Sequence, residues 1–206
     1  MASSDADEIP STDNGRPAKR PRAQTAAWRD WANLTAGSAG LIAEHALAND
    51  VADYIRFRAA CKAWRELSAD PRSHEISDRQ FHPRHWIMLP SRFNINCRRR
   101  FVNVSTGECI HIGIPDLRRH YFFGRTTEGF LVLCQMGTYI AQLLNPITGL
   151  ITDLPSAKTL GLEGRRGSTA HGARSLVFHS AGLINDSTVA LVYNSHGLAA
   201  AKPGDC

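Results

Sequence analysis

Two stretches of this chain repeat each other, and the repeat constrains the fold more than any other feature. "NVSTGECIHIGIP" begins at Asn103 and "NPITGLITDLP" at Asn145, 42 residues apart. Each has an Asn, a Thr-Gly pair three residues later, and a short apolar segment closing on Pro. Asn bonds the backbone two residues on, and Gly accepts positive φ, so the shared pattern is turn chemistry in its own right. A period of roughly 40–50 residues built of short strands is also that of propeller blades.

The surrounding sequence has the same texture. "HWIML", "RFVNVSTGECIHI", "YFFG", "GFLVLC", "TYIAQLL", "LITDLP", "SLVFH" and "STVALVY" read as short strands, with Gly, Pro and Asn between them. Residues 81–206 are therefore expected to be a β region. Arg98, Arg99 and Arg100 precede Phe101 and read as a solvated strand edge, guarded by charge, in preference to a phosphate contact.

Residues 28–72 have a different period. Trp28, Trp31 and Leu34 come first, then an apolar segment with Leu41, Ile42 and Leu47. In "NDVADYIRFRAACKAWREL", Asp50 is placed to cap a helix and Asp53 to favour its first turn. Val51, Tyr54, Phe57, Cys61 and Trp64 recur at steps of three and four and fall on one helical stripe. Arg58, Lys62 and Arg65 fall largely off it, on the outside. Pro71 stops the helix. The aromatics thus lie where a core would use them, which argues against a basic, nucleic-acid-binding helix.

Residues 1–27 are polar, without enough apolar surface to offset the entropy of ordering, and read as a disordered tail. Arg16, Lys19, Arg20 and Arg22 form a short basic cluster there, the form of a nuclear import signal or of a solubilising patch. No secretory signal or bilayer-length apolar run is present. The five cysteines are odd in number and lack C-x-x-C spacing, so neither a disulfide framework nor a zinc finger is expected. A reducing compartment, nucleus or cytoplasm, fits.

Catalytic templates fail. H-E-x-x-H, G-x-S-x-G and a phosphate-binding loop ending in Gly-Lys-Ser/Thr are all missing; "GLEGRRGST" at Gly161 reads as an exposed loop. His82 and His85 lack a third ligand and read as surface or packing residues. Cys61, on the stripe, reads as core and not as a nucleophile. No catalytic residue, cofactor or metal is expected.

"WANLTAGSAGLIAEHALANDVADYIRFRAACKAWREL" resembles an F-box, the helical motif that docks a substrate receptor onto the SCF ubiquitin ligase. Arg-Phe-Arg, then Cys-Lys, then Trp-Arg carry the likeness. "FHPRHWIMLP", "RFVNVSTGECI", "TEGFLVLC", "QLLNPITGLITDLP" and "STVALVYNSHGLAAAKPGD" are similar to successive signatures of the KIB-type β-propeller of plant F-box proteins. The resemblance covers about residues 28–206. It implies an F-box-like module at 28–72, then a partial antiparallel propeller of two to three blades at 81–206, where the family continues for more. It departs at the front, where Leu34 is followed by Thr35, and Gly37 and Gly40 loosen the first helix. What it implies of function is recruitment: an SCF adaptor on one side and an unidentified substrate protein on the other. Leu34, Leu41, Ile42, Val51, Ile55, Phe57, Cys61 and Trp64 would be docking or core positions. The competing readings are a non-functional propeller remnant and a basic nucleic-acid-binding protein.

Overall fold

The structure is a computed structural model, describing residues 30–90, 97–160, 178–185, 188–194 and 197–204. The basic cluster Arg16, Lys19, Arg20 and Arg22 and the loop at 161–169 lie outside them. The chain divides into two compact units, Met1–Trp31 and Ala32–Cys206. In the first only Asp30 and Trp31 are described, both exposed; all else concerns the second.

Among the described residues a 3-10 turn, Trp31–Asn33, and then three α-helices come first. Helix α1, Ala36–Asn49, starts at Thr35, whose Oγ1 accepts the Ser38 N–H at 3.3 Å. Helix α2, Val51–Ala60, starts at Asp50, whose Oδ1 accepts the Ala52 N–H at 2.7 Å. Asp53 in the first turn of α2 and Arg58 in the last complement the helix dipole. The expected single stripe-bearing helix is corrected at Cys61. There the backbone is extended (φ −155°, ψ 166°), α2 ends, and the Cys61 Sγ accepts the Trp64 N–H at 3.4 Å to start α3, Lys62–Glu66. Pro71 therefore does not stop a helix; it opens a separate 3-10 turn, Pro71–Ser73.

Among the described residues ten strands follow in three sheets, with the strands of each sheet paired antiparallel and one isolated parallel bridge, Thr126 to Ala181, outside the ladders. Strands β1 (Trp86–Met88), β2 (Arg98–Asn103) and β3 (Cys109–Gly113) form the first, in that order. The second is β4 (His120–Arg125), β5 (Leu131–Gln135), β6 (Ile140–Leu144) and β7 (Ile151–Ser156). The third runs β8 (Phe178–Asn185), β9 (Thr188–Tyr193) and β10 (Gly197–Ala201). Helices followed by antiparallel sheets is the order read from the sequence. Strand β8 runs past the expected "SLVFH", of which residues 175–177 lie outside the described residues. Strand β2 is the middle strand, but β1 pairs only with its Phe101–Asn103 end; among the described residues Arg98 and Arg99 pair with β3 alone, and Arg98 and Arg100 are exposed on one face of the pleat.

The repeat is structural. Asn103 Oδ1 accepts the N–H groups of Ser105 and Thr106, and Asn145 Oδ1 those of Ile147 and Thr148. Gly107 (φ 74°) and Gly149 (φ 75°) take the left-handed backbone, and each N–H returns to its Asn carbonyl at 2.8 and 2.9 Å. The first turn joins β2 to β3 and the second joins β6 to β7.

Three apolar clusters hold the unit together. Ala39, Ala43, Val51, Tyr54, Phe57 and Phe81 form the core of the helices. Ala52 of α2 joins Trp86, Phe101, Leu131, Leu133 and Leu144, tying the helices to the first two sheets. Phe130, Val132, Leu143, Val189 and Leu191 lie between the second and third sheets.

Candidate docking surface

The faces of α1 are inverted relative to side-chain size. Ala39 and Ala43 are buried, while Leu41 is 69% exposed and Ile42 40%. Ala39, Ala43 and Ala46 recur at steps of four and three, so the small side chains share one face. Small residues let two helices approach closely, and here they pack toward α2 and the Arg79–Phe81 turn. Leu41 and Ile42 are left on the solvent side, while Leu47 packs partly buried against the helix core beside Ala46. Gly37 and Gly40 lie within α1, and a Cβ at either would meet nothing within 4 Å.

The other expected positions separate into two roles. Val51 and Phe57 are buried, and Tyr54 beside them donates its hydroxyl to the Ala69 carbonyl at 2.8 Å. Leu34 and Trp64 are half-buried against this core, and Trp64 stacks on Phe57 with ring centroids 4.7 Å apart. Ile55 is half-buried and lines a shallow cleft with Arg72 and Ile147. Cys61, expected in the core, is only half-buried and serves as a cap.

The helix arginines Arg56 and Arg58 bond within the chain, while Lys62 stays 85% exposed. Arg58, expected outside, is 11% exposed at its side chain and donates to the carbonyls of Ser68 and Ala69, closing the chain after α3 back onto α2. Arg56 pairs with Asp53 at 2.8 Å and with Glu108 of the first repeat turn. Lys62 lies 3.5 Å from Glu66.

Asp50 does more than cap α2. Its carboxylate also accepts the Trp86 indole N–H at 2.9 Å and the Asn103 Nδ2–H at 3.1 Å. Asn145 reaches back in the same way, its Nδ2 donating to the Phe81 carbonyl at 2.8 Å. Both repeat asparagines thus shape a turn with one side-chain atom and fasten the preceding segment with the other. The two-part Asn role was not visible from spacing; the doubled Asn itself was the signal.

His82 is a packing residue, as expected. It is buried, its Nε2 lies 2.8 Å from the Ile76 carbonyl, and Phe130 meets its ring edge-on. Burial pushes its pKa below the usual histidine value. Burial likewise pushes the Cys134 thiol up to about 11. Burial opposes ionisation of Glu128, but hydrogen bonds from Thr127, Thr126 and backbone N–H groups, Leu183 among them, outweigh it and hold the carboxyl below its usual range. Among the described residues no group of three or more His, Cys, Asp or Glu is placed to hold a metal ion.

A cleft of about 870 Å³ opens between β1, β4 and β8, each an edge strand of its sheet. Its walls are mainly apolar, with Ile87, Met88, Phe122, Val132 and Leu191 among them.

No family model, curated protein or solved structure matches the chain.

Proposed function

We propose that this chain is a non-catalytic substrate receptor that links a target protein to an SCF-type ubiquitin ligase through its N-terminal helices. The observation that carries the reading is the inverted face of α1. A 14-residue helix holds its place in the fold through Ala39, Ala43, Ala46 and the partly buried Leu47, and offers Leu41 and Ile42 to solvent. Docking would bury those two side chains, each contributing about 1.5–3 kcal/mol when fully covered. Val51, Phe57 and Trp64 hold the helix behind that face. The three antiparallel sheets would be blades of a partial propeller presenting loops to the target, an assignment resting on the 42-residue repeat. The basic cluster at Arg16–Arg22 would direct import, so the receptor would act in the nucleus, the cytoplasm or both.

The commitment of Arg58, 11% exposed and bonded to the Ser68 and Ala69 carbonyls, weighs against the nucleic-acid reading, since that guanidinium is not available to neutralise a phosphate.

The test is capture of the full chain by purified SCF adaptor at micromolar concentration. Leu41→Asp with Ile42→Asp should abolish capture without lowering the melting temperature, because both side chains are already exposed. Failure of the unaltered chain to be captured sinks the reading. So does capture that survives both substitutions.

A further inference from the structure

The repeat identifies one strand position that no described residue fills. Asn103 corresponds to Asn145, and Phe101 to Leu143, in matching turns and strands. Carried across the pairings, Ile87, Met88 and Leu89 of the first sheet then correspond to Leu131, Val132 and Leu133 of the second. In the second sheet β4 covers that stretch, with Arg125, Gly124 and Phe122 opposite the three residues, and all three are buried. In the first sheet no described strand pairs with β1 on that side, and Ile87, Met88 and Leu89 are only half-buried. The Leu89 N–H donates to Arg100 on β2, so by alternation the Met88 N–H and carbonyl point away from β2, along the open edge.

That edge opens into the cleft between β1, β4 and β8. Phe122, 46% exposed, stands across it. Arg125 lines the cleft, and no Asp or Glu does so among the described residues. An unpaired strand edge beside an apolar groove is the substrate for strand addition: main-chain bonds supply affinity and alternate side chains fill the groove.

We propose that the edge of β1, unpaired among the described residues, binds an extended segment of a partner protein as a fourth strand. The segment runs antiparallel to β1, as β4 runs to β5. It carries apolar residues at alternate positions, the counterpart of the "YFFG" of β4, and acidic flanks that suit Arg125. This site is separate from α1 and does not depend on adaptor docking.

The probe is a fluorescent peptide carrying "YFFG" flanked by glutamates, titrated with the full chain. Saturable binding is expected, with the Met88 amide becoming protected from hydrogen exchange. Lysine flanks should weaken binding about ten-fold at low salt. Phe122→Asp should weaken it about ten-fold or more while leaving the melting temperature unchanged, since Phe122 is exposed in the free chain. The proposal is overturned by absence of binding, or by binding that leaves Met88 exchange unaltered. It is also overturned if the chain alone dimerises with concentration and protects Met88, which would make the occupant a second copy.

Discussion

The first and second sheets carry the same turn and differ in what surrounds it. Phe101 and Leu143 hold equivalent places and both are fully buried, so the middle of each sheet is alike. The edges are not. Strand β5 lies under β4 and is buried through Cys134; among the described residues β1 has no such cover. The fastenings differ too: a carboxylate shared among three donors secures the first turn, and one backbone carbonyl secures the second. Local chemistry therefore sets the turn, and the partners set how much of each sheet water can reach.

Thiol labelling reads this difference directly and has the largest expected effect. Cys134 lies on covered β5, wholly buried, with its pKa raised by that burial to about 11. Cys109 is exposed on β3, an edge strand of the first sheet. With iodoacetamide at neutral pH and site mapping by mass spectrometry, Cys134 should react at least about a thousand-fold more slowly than Cys109. Comparable rates would mean that the cover of β4 does not keep Cys134 from water.

The fastenings come next. Asp50→Ala removes a helix cap and leaves the Trp86 indole N–H and Asn103 amide without their acceptor, at a cost of about 3 kcal/mol. Asn103→Ala and Asn145→Ala should each cost about 2 kcal/mol in urea unfolding. Asp50→Ala with Asn103→Ala should cost less than their sum, because they share a bond, whereas Asp50→Ala with Asn145→Ala should add. Additivity in both pairs would remove the shared carboxylate from the account.

Features legible in the sequence were those decided within a few residues. Asp50 before Val51 announces a cap, and Asn-x-x-Thr-Gly announces a turn, because the bonding groups are neighbours in the chain. The break at Cys61 was hidden because the apolar period runs straight through it: Phe57 and Trp64 still meet across the break. Arg58 misled because its partners, Ser68 and Ala69, lie ten and eleven residues on, within reach only once the chain folds back. On α1 the larger apolar residues outweigh alanine in any reading of pattern, yet alanine is what close helix packing selects. The convergence of β1, β4 and β8 depends on how separate sheets meet, which no local pattern records.

The turn glycines give a smaller contrast. Ala at Gly107 or Gly149 must hold the left-handed backbone, at about 1–2 kcal/mol each. At Gly107 the new Cβ meets nothing within 4 Å, while at Gly149 it would lie 3.3 Å from Arg72 Nη2. That guanidinium also donates through Nε to the Thr148 carbonyl at 2.9 Å. Gly149→Ala should therefore be the costlier of the two in thermal melts. The reverse order would show that the Arg72 side chain moves aside freely.

Acid should separate the two sheets most subtly. Trp86 and Phe130 hold equivalent places at the start of β1 and just before β5, each nearly fully buried. Trp86 is anchored by the Asp50 carboxylate, and Phe130 packs T-shaped against the buried His82 ring. Burial lowers the His82 pKa below 6.5, so the unfolded chain takes up a proton before the folded one does. The stability contributed by neutral His82 is thus complete above about pH 6.5 and is lost as pH falls from there through the folded pKa. His82→Gln keeps a donor for the Ile76 carbonyl but cannot take up that proton. Urea midpoints of the unaltered chain should fall between pH 7 and pH 5 more steeply than those of His82→Gln. Parallel pH profiles would show that His82 is already hydrated in the folded state and that the start of β5 is no tighter than that of β1.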